Sequence, residues 1–341
     1  MPFRALWLVL ALLLPVSGHA QAILAIDAVP GLDRQGRVEY AKFLIANLPR
    51  VFAVSANGRA GWAGPAPSLE VARAVALQRC ATVGGSQCTV YAENLDVVWQ
   101  GRAPQTRPPP AEPLFGTGNY AFVPDARFFW RGPSAAAGVL VWSHGKGPAW
   151  DSDNRGLQPL AFVRSFNNAG YDVVRFDRAP LADDPNRAAG WLADGLATLR
   201  RMGYRRIVAA GESRGGWTSL QMIDAGHAAD VVIAVSPAAH GLGGSSIHLA
   251  QEDDLARMLR NADATGLRLA VAQFAGDPYA VDPDERAAAL RAVAPRLGAL
   301  LLLDRPAGFT GHGAAASEAF AQRYGDCLLR FARDPSPPTA C

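Results

Sequence analysis

The sequence predicts an α/β protein: a mainly parallel sheet with helices on both faces, preceded by a small α/β module. Three observations predict it. From about Asn119 to Asp334, short apolar runs alternate with helix-like stretches, the pattern of β-α units. A Pro/Gly-rich stretch, residues 101–118, reads as a linker separating that region from an earlier unit. And residues 207–218, IVAAGESRGGWT, read as a strand running through a glycine-flanked turn into a helix.

In the first unit, residues 21–100, Val38 to Asn47 is expected to be a helix and Arg50 to Ser55 a strand, followed by an Asn57-Gly58 turn. Ser68 suits the N-cap of a helix that places Val71, Val75 and Ala81 on one face. Cys88 to Tyr91 and Asp96 to Trp99 read as a hairpin. Trp62, Tyr91 and Trp99 suit the core of so small a module better than a binding face. In the second unit the expected strands are Val139–Ser143, Tyr171–Phe176, Arg206–Ala210, Val231–Val235, Leu267–Phe274 and Leu300–Leu303. The helices between them are Pro159–Ala169, Ala188–Met202, Trp217–Ile223, Glu285–Val293 and Ser317–Phe331. Residues 335–341 form a tail.

The chain has 341 residues, half of them apolar, and a formal net charge of +3. Near-balance of charge excludes the basic footprint of a nucleic-acid binder. Arg4 followed by the apolar stretch Leu6 to Val16 and small residues at 18–22 reads as a signal peptide cleaved after residue 20 or 22. The stretch is too short to span a bilayer. The expected location is therefore periplasmic or secreted, without stable membrane insertion. Cys80, Cys88, Cys327 and Cys341 are an even set in such a chain, which points to disulfides. Three pairings are open; the sequence-local one is Cys80–Cys88 with Cys327–Cys341. No C-x-x-C supports a metal site, and no cofactor is implied.

Gly211-Glu212-Ser213-Arg214-Gly215 is a G-x-S-x-G in strand–turn–helix context, where a sharp turn makes the serine hydroxyl stand clear of the backbone. With this elbow, the second unit resembles the α/β-hydrolases, in particular dienelactone hydrolase-like and esterase-like serine hydrolases. The resemblance implies nucleophile, acid and histidine in that chain order. Ser213 matches the nucleophile. His312, in a loop between the last strand and last helix, matches the base. Asp277, after the strand Leu267–Phe274, matches the acid, with Asp282 in reserve. Backbone N–H groups of Arg214 and Lys146 would form the oxyanion hole, with Gly147 as the alternative to Lys146; Gly145 and Gly147 are expected to contact the substrate, and His144 to brace the loop. His240, at a strand end, is expected at the rim of the substrate cleft. Glu212 either tunes the site or anchors a neighbouring loop. Residues 236–266 leave little room for a lipase-type lid. The implied reaction is hydrolysis of a carboxylic ester, amide or thioester through an acyl-enzyme. The substrate would be a small ester or a peptide-like molecule. A peptidase, an acyltransferase or a non-catalytic binding protein on the same scaffold are the alternatives, the first unit then serving as an adaptor for an envelope component.

Overall fold

A computed structural model describes residues 19–102, 106–147, 149, 151–224, 228–241, 246–261 and 264–341. The expected signal segment lies almost wholly outside them. Among the described residues, no helix is long and apolar enough to cross a membrane.

The first unit consists of α1 (Arg34–Ile45), β1 (Val51–Val54), β2 (Ala60–Ala63), α2 (Leu69–Thr82), β3 (Thr89–Glu93) and β4 (Asp96–Val97). The strands form a four-stranded sheet in the order β2-β1-β3-β4. Tyr40 and Phe43 of α1 pack on one face with Phe52 and Tyr91, and α2 covers the other. Ser68 caps α2 as expected, accepting from the Val71 N–H, but the buried face is Ala72, Ala76 and Cys80, not Val71, Val75 and Ala81. The reason is close approach. A Cβ added at Gly61 of β2 would stand 2.3 Å from the Cys80 nitrogen and 2.6 Å from the Ala76 oxygen. Only small helix residues fit there; Val71 is exposed and Val75 packs at the edge of the core, partly buried. Tyr91 is core at 3 % exposure, with the Trp99 ring 6.0 Å away. Trp62 is tied to Glu39 through its indole N–H.

The second unit begins earlier than its composition suggests. β5 (Phe115–Gly116), inside the Pro/Gly-rich stretch, pairs with β6 (Tyr120–Pro124). There follow β7 (Gly138–Ser143), α3 (Val163–Asn168), β8 (Tyr171–Arg178), α4 (Pro185–Arg201), β9 (Ile207–Glu212), α5 (Arg214–Asp224) and β10 (Val231–Val235). The unit closes with α6 (Ser246–Leu249), α7 (Gln251–Asn261), β11 (Arg268–Gln273), α8 (Pro283–Val293), β12 (Ala299–Asp304) and α9 (Glu318–Arg333). The eight strands lie in the order β12-β11-β10-β9-β7-β8-β6-β5. β6 runs antiparallel to β5 and β8, and the pairs from β8 to β12 are parallel.

Alternate residues of the central strands feed two cores. Val139, Val141, Ala209, Val232 and Val271 pack with α4, α5, α7 and α8. Leu140, Val208, Ala210, Ile233 and Ala270 pack with α3 and α9. Strands buried on both faces read as continuous apolar runs, as β10 does. The first unit sits against the α3/α9 side, where Asn168 donates to the Leu44 carbonyl (2.9 Å) and the Gln158 amide exchanges two hydrogen bonds with Leu48 (3.0 Å each). Of the three pairings left open for the cysteines, the structure contains Cys80–Cys88 and Cys327–Cys341.

Candidate active site

The parallel register aligns Ser143 of β7 with Gly211 of β9, and Glu212 with Val235 of β10. The carboxyl ends of these strands therefore open on one place, where ligands bind in open α/β sheets. Ser213 stands there between β9 and α5. Its φ is +52°, a left-handed conformation that costs a non-glycine residue energy and persists only where the surroundings enforce it. Here the enforcement is steric. A Cβ at Gly211 would lie 2.4 Å from the Gly215 carbonyl carbon, and one at Gly215 only 1.9 Å from the Ser143 oxygen. The two glycines let β9, α5 and β7 close on one another. The Ser213 N–H donates to the Val235 carbonyl (2.9 Å), and the Ser213 carbonyl accepts from Trp217 (2.9 Å) and Ala238 (3.2 Å).

Ser213 and His312 line one cavity of about 510 Å³ together with Lys146, Gly147, Glu212, Arg214 and Tyr279. His312 comes from the loop between β12 and α9, and its Nδ1 lies 2.9 Å from each carboxylate oxygen of Asp277. Asp277 is 8 % exposed and also accepts from the Tyr279 N–H (2.9 Å). The alternative acid, Asp282, is occupied elsewhere: its side chain caps α8 by accepting from the Asp284 and Glu285 N–H groups. Tyr279 lays its ring against His312, centroids 4.4 Å apart.

Strand order 12-11-10-9-7-8-6-5, one antiparallel strand near the edge, and a strained serine between the central strand and its helix are decisive together. This is an α/β-hydrolase fold. No family model matches the chain, and no curated protein matches it. Solved structures match distantly. A truncated carbohydrate esterase from gut microbiota is 14% identical, with a TM-score of 0.41 over 57% of this chain and 86% of its own. A puromycin-hydrolyzing peptidase of Mycobacterium tuberculosis is 17% identical, with a TM-score of 0.44 over 70% of this chain and 43% of its own. Brefeldin A esterase, described as a bacterial homologue of human hormone sensitive lipase, is 18% identical, with a TM-score of 0.38 over 57% and 67%. Strand order and elbow, not these likenesses, carry the assignment.

Within the α/β-hydrolase frame, Arg214 opens α5, and the first N–H groups of a helix have no partner inside it. Lys146 and Gly147 line the cavity from the loop after β7. Gly145 is not among the lining residues; its carbonyl accepts from the Asn154 side chain (3.0 Å), and a Cβ there would stand 3.4 Å from that of Ser213. His144 is buried behind the loop. The Arg178 N–H donates to its Nε2 (3.2 Å), so Nδ1 carries the proton and donates to the Gly145 carbonyl (2.7 Å), an assignment made from the hydrogen-bond network. Burial, and then the Arg178 charge, hold its pKa down to about 4. It is a neutral brace.

Two residues that hold this site escaped the sequence reading. Arg178, fully buried, donates to Ser143 Oγ (2.6 Å) and the His144 carbonyl (2.6 Å), and is itself held by Asp183 (2.8 Å). Ser236, at φ +44°, donates from Oγ to the His312 carbonyl (2.8 Å). β8 already carries Asp172, Arg175 and Asp177, so its sequence does not single out Arg178, and nothing local marks Ser236.

His240 departs from its expected place. It lines a neighbouring cavity with Trp217, Asp254 and Met258, its Nε2 2.8 Å from Asp254 and its ring edge-on to Trp217. The carboxylate on α7 draws the imidazole away from the serine. Glu212 faces the Ser213 cavity, and burial raises its pKa above the usual carboxylate range, with His312 pulling the other way.

Proposed function

We propose that the protein is a serine hydrolase that cleaves a carboxylic ester through an acyl-enzyme. One observation supports this above others: Ser213, in a strained elbow, shares a cavity with a histidine whose Nδ1 is engaged by a buried carboxylate. With Nδ1 bound to Asp277, Nε2 is the nitrogen left to take the Ser213 proton. Ser213 Oγ attacks the carbonyl carbon while Nε2 accepts the proton, and the oxyanion forms facing the Arg214 and Lys146 N–H groups. Collapse expels the leaving group, which receives the proton from Nε2. Water, deprotonated by the same nitrogen, releases the acid. Asp277 holds the tautomer that this requires and stabilises the imidazolium.

The apolar N-terminal segment and two disulfides support an exported protein, periplasmic or secreted, with the first unit as the part that contacts an envelope component. The cavity suits a small ester or a peptide-like substrate. The test is labelling of the purified protein with a fluorophosphonate probe, wild type against Ser213→Ala. Labelling that vanishes in the variant is the expected result. Folded wild type that stays unlabelled would replace the hydrolase with a binding protein on the same scaffold.

A further inference from the structure

Gln251 does not line the Ser213 cavity, yet its side chain is bonded to two of the loops that do. It opens α7 and is fully buried. Its Oε1 accepts from the Ala239 N–H (3.2 Å) and, at longer range, the His240 N–H (3.4 Å), while its Nε2 donates to the Tyr279 carbonyl (2.6 Å). A buried amide is stabilised only when its polar atoms are paired, and here the pairing spans two separate segments. On one side, Ala239 follows Ala238, whose N–H donates to the carbonyl of Ser213. On the other, Tyr279 covers the His312 ring and gives its own N–H to Asp277 Oδ1, the oxygen that also meets His312 Nδ1. Gln251 cannot drift, because the next residue, Glu252, is held in a buried fork by Arg286 (2.7 and 2.9 Å), which also donates to the Pro237 carbonyl (3.1 Å).

We propose that Gln251 is a positioning residue that sets the distance between the nucleophile and the base: one amide ties the wall behind Ser213 to the turn that aims Asp277 at His312. This rests on the serine-hydrolase reading above. The polar linkage replaces what a continuous strand or helix would do, since Ser213, Asp277 and His312 stand on three different loops. Its effect is on alignment rather than on substrate contact, so it should appear in the rate of serine attack and not in substrate affinity.

The experiment compares wild type, Gln251→Met, Gln251→Glu and a control, Gln273→Met. Methionine matches glutamine in length and makes none of its bonds. Glutamate keeps the acceptor toward Ala239 and loses the donor toward Tyr279, and it serves if the methionine variant does not fold. Gln273 is an equally buried amide at the end of β11, bonded to the Pro283 carbonyl and Asp304, away from the cavity. Four quantities are read: fluorophosphonate labelling rate, kcat and KM on an ester, and the downfield Nδ1 proton resonance of His312. Misalignment of reacting groups on this scale costs roughly 10- to 100-fold. That loss is expected in labelling and kcat for both Gln251 variants, with KM little changed and the His312 resonance displaced. Gln273→Met should lower Tm and leave labelling rate and resonance as in wild type. Gln251 variants that label at the wild-type rate with an unmoved resonance would overturn the proposal while leaving the hydrolase standing. An unlabelled wild type would overturn the hydrolase reading instead, and the resonance would still decide whether Gln251 positions His312.

Discussion

His312 directs Nδ1 between the two carboxylate oxygens of Asp277, 2.9 Å from each. Thirty-five positions of sequence separate the partners. The contact exists because β11 and β12 are adjacent and parallel in the sheet, so the loops that leave their carboxyl ends meet. The isolated bridge between Ala275 and Thr310 carries that pairing past the strands, and the Gly311 N–H closes it on the Ala275 carbonyl (2.8 Å).

Replacing Asp277 with asparagine keeps the shape and removes the charge. The amide presents either a donor or a single acceptor to Nδ1, so the imidazole loses the tautomer that leaves Nε2 free. The loss expected in kcat is about 10⁴-fold. Steady-state rates on an activated ester, with Tm as a check on folding, measure it. Asp282→Asn, at the α8 cap, should change Tm slightly and the rate hardly at all.

Gly215→Ala should destroy the elbow. The new methyl would sit 1.9 Å from the Ser143 oxygen and 2.4 Å from its carbonyl carbon. Both are backbone atoms of a central strand, so relief requires parting β7 from α5. Overpacking of this kind costs about 1–3 kcal/mol or more. Reduced Tm together with lost fluorophosphonate labelling is the expected outcome. A variant that labels normally would show that the turn tolerates a wider approach.

The Glu212 carboxyl titrates higher in the folded protein than its ordinary value near 4.5 because burial disfavours its charge. The folded state therefore holds the proton more tightly than the unfolded chain. Its favourable contribution is present below the unfolded value and is lost as pH rises through the folded one. Glu212→Gln, neutral throughout, should match wild type in stability near pH 4 and exceed it at pH 8. Thermal unfolding of both proteins across that range tests the sign.

The bond between Cys327 and Cys341 closes a loop over 14 positions and pins the C-terminal tail to α9. Loop-closure entropy for this length is about 3 kcal/mol. The double variant Cys327→Ser with Cys341→Ser should lose stability of that order in denaturant titration, with ester turnover intact at temperatures where it remains folded. α9 covers the core face remote from α5, which is why activity should survive.

The sequence alone determined whatever is encoded over a few residues. Strand and helix alternation, the cap at Ser68, and the glycine spacing around Ser213 are short-range patterns, and backbone sterics and local hydrogen bonds suffice to read them. Tertiary structure decided what depends on distant chain segments meeting. Asp277 rather than Asp282 reached His312 because Asp282 was spent on a helix end. His240 turned to Asp254 of α7, and the small face of α2 was selected by the close approach of Gly61. Phe115 and Gly116, unremarkable in a Pro/Gly-rich stretch, became strand because β6 offered them an edge. Arg178 and Gln251 acquired their roles the same way: each satisfies buried polar groups brought together from separate loops, and no local pattern specifies which loops those will be.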